Sequence, residues 1–195
     1  MKKLLLTAAA ILATLNMYAQ GQGTLSFTSV GAGTPPAGGP QKLITDPTGA
    51  PAGAGYAVAL YWGDATQTTD ASLTQIGASA NMLTGNSAGT FFGGGRTITT
   101  PGSAINGPVL TFQVRGWATA AGNSYDAARA AGGATGKGAI FTLKTKDPTD
   151  PLTTAPNLWQ APGYLGFQIA VPEPSTIALG LIGGVSALLM LRRRK

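Results

Sequence analysis

The sequence predicts a mainly β protein: a single antiparallel β-sandwich with one short helix, led by an N-terminal signal peptide and closed by a single C-terminal transmembrane helix. Three observations carry this. Apolar and polar residues alternate with period two in short segments, Gly- and Pro-rich stretches separate those segments, and an apolar run flanked by basic residues stands at each end. The ends divide the chain into residues 1–19, 20–170 and 171–195.

At the N-terminus, Lys2 and Lys3 precede an apolar run over residues 4–15, and Tyr18-Ala19 leads into the polar Gln20-Gly21-Gln22-Gly23. Charged start, apolar middle and small residue before a polar stretch are the parts of a secretory signal peptide, with cleavage expected after Ala19. The run is too short to span a bilayer, which takes about 20 apolar residues.

In the body, Tyr56, Val58, Leu60 and Trp62 fall on one face of a strand, with Ala57, Ala59 and Tyr61 on the other. Leu110, Phe112 and Val114 likewise alternate with Thr111, Gln113 and Arg115. Further strands are expected over 24–30, 72–78, 96–99, 137–144 and 165–171, the last alternating Leu165, Phe167, Ile169 and Val171. Between them lie turn-rich segments over 31–40, 45–55, 101–108 and 146–156, and Gly93-Gly94-Gly95 reads as a hairpin turn. No helical periodicity alternates with the strands, which favours antiparallel over parallel pairing. One helix is expected after Asn123 or Ser124, either of which can cap it. Asp126 sits near its positive end, and Gly132-Gly133 stops it. Its place between two strands suggests a lid over one end or edge of the sandwich.

The formal charge of +6 divides unevenly. Lys2, Lys3 and Arg192 to Lys195 hold six of the positive charges, leaving the body seven basic residues against six Asp. A nucleic-acid surface needs a basic patch on the folded domain, so no nucleic-acid partner is expected. Charged residues are only 10% of the chain, against about a quarter in ordinary soluble domains, so Thr, Ser, Asn, Gln and Gly must cover the surface.

At the C-terminus, Pro172-Glu173-Pro174 is followed by an uncharged run over 175–191 and then Arg192-Arg193-Arg194-Lys195. As a helix the run covers roughly 25 Å, near the short limit for a membrane span. The terminal cations would stay on the cytoplasmic side, placing the body outside. The two prolines disfavour helix before them, so the helix is expected to begin at Ser175 or Thr176. This tail resembles the PEP-CTERM sorting signal of exopolysaccharide-producing Gram-negative bacteria. The resemblance implies an exosortase-type membrane transpeptidase as partner, acting near Pro172, Glu173 and Pro174, with Arg192, Arg193, Arg194 and Lys195 as the stop-transfer end. It also implies transient single-pass anchoring, then release or transfer to the cell surface or exterior.

Chemistry is scarce in the body. His and Cys are absent from the chain, which removes Ser-His-Asp and Cys-His nucleophiles, disulfides and His- or Cys-bound metals. Six Asp remain for acid–base work, but Asp46, Asp147 and Asp150 stand in Asp-Pro and Pro-Thr-Asp-Pro turn settings, so no catalytic, cofactor or metal residue is assigned. Among Trp117, Trp159, Tyr61 and Tyr164, strand parity points Tyr61 and Trp117 away from the main apolar face. These two are therefore the candidates for stacking on sugar rings. The expected function is a non-enzymatic structural or adhesive protein of the cell surface or exopolysaccharide. The alternatives are a carbohydrate-binding module of that layer and an enzyme of unrecognised type.

Overall fold

The alternating segments form two antiparallel sheets around one apolar core. The computed structural model describes residues 21–30, 42–100 and 106–172. The expected signal peptide, the helix over 175–191, the basic end and residues Glu173 and Pro174 lie outside the described residues. Among those described, no helix is long and apolar enough to cross a membrane.

In the smaller sheet, β1 (Gly21–Thr28) pairs with β4 (Phe92–Thr100). In the larger, β2 (Tyr56–Asp64) lies between β3 (Thr74–Asn81) and β5 (Val109–Ala118). The other edge of β5 is shared: Val109 to Phe112 pair with β7 (Phe141–Lys144), and Arg115 to Trp117 pair with β6 (Thr135–Lys137). β2 and β5 stay in unbroken register from Tyr56↔Ala118 to Asp64↔Leu110, making them the spine of the fold.

The core forms where the two sheets bring their apolar faces together. Leu25 and Phe27 of β1, Ile98 of β4, Val58 and Leu60 of β2, and Phe112 and Val114 of β5 are almost completely buried in one cluster with Ile44, Phe91 and Ile169. Each such side chain contributes about 1.5–3 kcal/mol of transfer free energy. The opposite face of the larger sheet is also covered. Ala57, Ala59, Tyr61 and Trp117 form a second cluster with Leu73 and with Tyr125 and Ala128 of α1 (Tyr125–Ala130). Ser124 caps α1 as expected, its Oγ accepting from Ala127 N at 3.2 Å. The helix roofs the outer face of the sheet, however, rather than one end or edge.

Three other expectations are corrected. The segment over 137–144 is divided into β6 and β7, because both compete for the same edge of β5 and Gly138 N turns in to donate to Val114 O at 2.9 Å. The segment over 165–171 is extended but forms only single bridges. Ile169 N donates to Thr45 O, while Ala170 exchanges two hydrogen bonds with Thr135, so no one neighbour offers a continuous ladder. Gly93-Gly94-Gly95 lies inside β4 and makes a bulge, not a hairpin turn. From Ser26↔Gly95 to Thr28↔Phe92, β1 advances by two residues and β4 by three. Gly94 takes φ +76°, and a Cβ at Gly93 would stand 2.2 Å from the Phe27 ring, so a core aromatic and a left-handed backbone both select glycine here.

Candidate functional sites

The sorting motif leaves the body directly from a fixed point. Ile169 is fully buried, and Ala170 is stitched to Thr135 by bonds of 2.9 and 3.0 Å. Val171 and Pro172 then emerge exposed. No loose linker separates the last bonded residue from the first residue of Pro172-Glu173-Pro174.

The aromatic pair has a different setting from the one expected. Trp117 is 1% exposed and Tyr61 4%, so neither offers a ring face to a sugar. Strand parity does turn them from the main core, but α1 and the turn over Asp70–Ser72 with Leu73 cover them. Trp117 Nε1 donates to Gly122 O at 3.0 Å, satisfying its one polar atom. Tyr164 lies in the main core against Phe141, and Trp159 is half-buried in a 3-10 turn.

Beside Tyr61, the outer face holds a polar network that the sequence did not signal. Arg115, 7% exposed, lays its guanidinium 3.9 Å over the Tyr61 ring and 5.5 Å from that of Tyr125. Its Nε donates to Gln113 Oε1 at 2.8 Å and an Nη to Asp70 O at 2.6 Å. Gln113 Nε2 in turn donates to Asp70 Oδ1 and Gly138 O. Lys137 closes the network with an ion pair to the other Asp70 oxygen. Burial pushes the Tyr61 phenol above its ordinary value, against the nearby Arg115 charge.

The Lys137 bond holds the Asp70 carboxyl below its ordinary value, with further help from Gln113 and Arg115 and against partial burial. A carboxylate depressed in the folded state stabilises it fully above the unfolded value of about 3.9, and that contribution fades as pH falls through the lower folded value. Thermal unfolding followed from pH 6 to pH 2 should therefore show an acid-side loss that Asp70→Asn flattens. An identical acid slope in the variant would exclude Asp70 as its source.

Two surface grooves are bordered by described residues. One of about 460 Å³ is bordered by Asn106, Lys144, Lys146, Asp147 and Asp150. Its carboxylates serve turns: Asp147 Oδ1 accepts from Thr149 N and Oγ1, and Asp150 Oδ1 from Leu152 N. Among the described residues no group of three acidic side chains gathers in a way that would hold a metal. The other groove, about 470 Å³, opens where β5 and β7 meet the loop after β2. Thr111 and Phe141 border it from the sheet, Gln67 and Thr68 from the loop after β2, and Pro162 from the opposite lip. Thr111 is 1% exposed, and its hydroxyl and Gln67 Oε1 are both buried without a hydrogen-bond partner. Position 111 reads in the sequence as an ordinary outward polar residue, and Gln67 carries no signal at all.

No curated protein and no solved structure is significantly similar to the chain. A family model does match its end, over residues 170–195, which begin at the stitched Ala170 and run through the prolines, the uncharged stretch and the basic cluster. The chain carries a PEP-CTERM protein-sorting motif.

Proposed function

We propose that the chain is exported, held transiently in the inner membrane by its tail, and sorted by an exosortase-type membrane transpeptidase acting near Pro172-Glu173-Pro174. The body then serves at the cell surface or in the extracellular matrix as a structural or adhesive component. The observation that carries this reading is the sorting motif over residues 170–195. The geometry of its exit supports it. From Ala170, bonded to Thr135, to a helix starting at Ser175 the chain can reach at most about 17 Å, so the body rests close to the membrane until the tail is cut. The motif is thereby kept near the membrane face, within reach of an enzyme embedded there.

Mass spectrometry of the exported form tests the reading. The mature C-terminus is expected near residues 172–174, and a variant lacking those three residues should stay uncut in the membrane fraction. An exported chain that still ends at Lys195 would refute processing.

A further inference from the structure

We infer that the groove between the loop after β2 and the edge formed by β5 and β7 is a binding site for a neutral, polyhydroxylated ligand about the size of one or two sugar rings. The inference stands apart from the sorting reading and uses none of the tail residues.

Charge decides the ligand class first. Among the described residues no Asp, Glu, Lys or Arg side chain borders the groove, so its described lining offers no counter-charge to an anion or a cation. Its polar groups are instead hydroxyls and an amide: Thr68, Thr111, Thr142 and Gln67. These can each donate and accept, matching a ligand that is itself made of hydroxyls. Phe141, Ile140 and Pro162 supply the apolar part of the wall, against which the C–H faces of such a ligand can lie. The volume falls within the roughly 300–1,000 Å³ of small-molecule sites.

The orphaned atoms decide the rest. Native proteins rarely leave buried polar atoms unpaired, and here two of them border the same groove. A purely apolar ligand would leave both unpaired, whereas a hydroxylated one can pair them. Both atoms are covered as the side chains now stand, so Gln67 has to turn for the ligand to reach Thr111. Its surroundings permit this: residues 64–66 and 68–69 are exposed, and Gln67 Oε1 sits over Gly63, where a Cβ would stand 1.8 Å from it. Gly63 pairs directly with Thr111 on β5, so the hollow left by the missing side chain lies beside the buried hydroxyl.

The test uses the full chain in an amine-oxide detergent, which contains no sugar. Saturation-transfer NMR and titration are run with glucose, galactose, mannose, maltose and cellobiose, with glucuronic acid as the charged arm and toluene as the apolar arm. Wild type should bind at least one neutral sugar and neither of the other arms. Thr111→Val keeps the shape and removes the hydroxyl, and should weaken that binding about tenfold while raising Tm by about 3 °C, since it also removes an unpaired buried group. Thr111→Ser restores the hydroxyl and should bind within about threefold of wild type, which a merely structural role for Thr111 would not produce. No transfer to any neutral sugar, a preference for glucuronic acid or toluene, or equal binding by Thr111→Val would overturn the assignment. None of these outcomes bears on where the tail is cut.

Discussion

Trp117→Ala is expected to lower the stability of the body by about 3–5 kcal/mol, the range for truncating a fully buried indole. For a body of this size that corresponds to a fall in Tm of roughly 10 °C or more. Trp117 is 1% exposed, and its ring fills the space between β5, the Gly122 carbonyl and α1. Truncation leaves a cavity that Ala57, Ala59 and Ala128, already small, cannot fill. It also leaves the Gly122 carbonyl without its indole donor. Thermal and denaturant unfolding followed by circular dichroism measure the loss, with Trp159→Ala as a comparison, because Trp159 is only half-buried and should shift Tm less. A Trp117→Ala chain as stable as wild type would mean that α1 does not cover this face in solution. The expected instability also means that this variant reports on folding, so a loss of glycan binding in it would say nothing about a stacking platform.

The sequence predicted which way Trp117 points but not what lies over it, and the reason is physical. Period-two alternation shows which residues share a face of a strand, as it did for Val58 and Leu60 and for Phe112 and Val114, all of which enter the core. It does not show whether the other face is wet. On β5 that face carries Thr111, Gln113, Arg115 and Trp117, a pattern that reads as half polar, yet residues 110–117 are buried on both faces. Their cover comes from elsewhere in the chain, from α1 and from the turn over Asp70–Ser72, and pairing of that kind leaves no local trace. The same limit explains why 137–144 and 165–171 looked like single strands: their apolar spacing is real, but which edge accepts them is decided by β5, Thr45 and Thr135. The sorting tail was legible because its signal is local: two prolines, an uncharged run and a basic end, in order. The groove at Thr111 was not, since it joins a loop, a strand and a turn distant in sequence.

Arg115→Leu is the second large effect, with an expected loss of about 2–4 kcal/mol, and here two terms oppose each other. Removing a buried cation recovers its desolvation penalty, and where a leucine packs well in its place such a change can be neutral or even stabilising. The network works against that outcome. Without the guanidinium, Gln113 Oε1 loses its donor, and an orphaned buried acceptor costs about 1–3 kcal/mol, while the Asp70 carbonyl keeps only its 3.3 Å bond from Leu73 N. Stacking on Tyr61 and Tyr125 is lost as well, about 1–2 kcal/mol for a desolvated cation. One orphaned acceptor, a second left with a single long bond and two lost ring contacts outweigh the recovered desolvation; the Asp70 side chain, 37% exposed and still paired with Lys137, releases no second buried charge, which keeps the loss from being larger. Arg115→Lys should restore less than half of the loss: an ammonium keeps the charge but lacks the planar fork that serves Gln113 and Asp70 at once while lying flat on Tyr61. Denaturant unfolding of the two variants, read as a change in midpoint at constant m-value, separates the terms. If Arg115→Leu matched or exceeded wild type, the desolvation term would dominate, and the outer face would behave as a second apolar core that tolerates its polar network rather than depending on it.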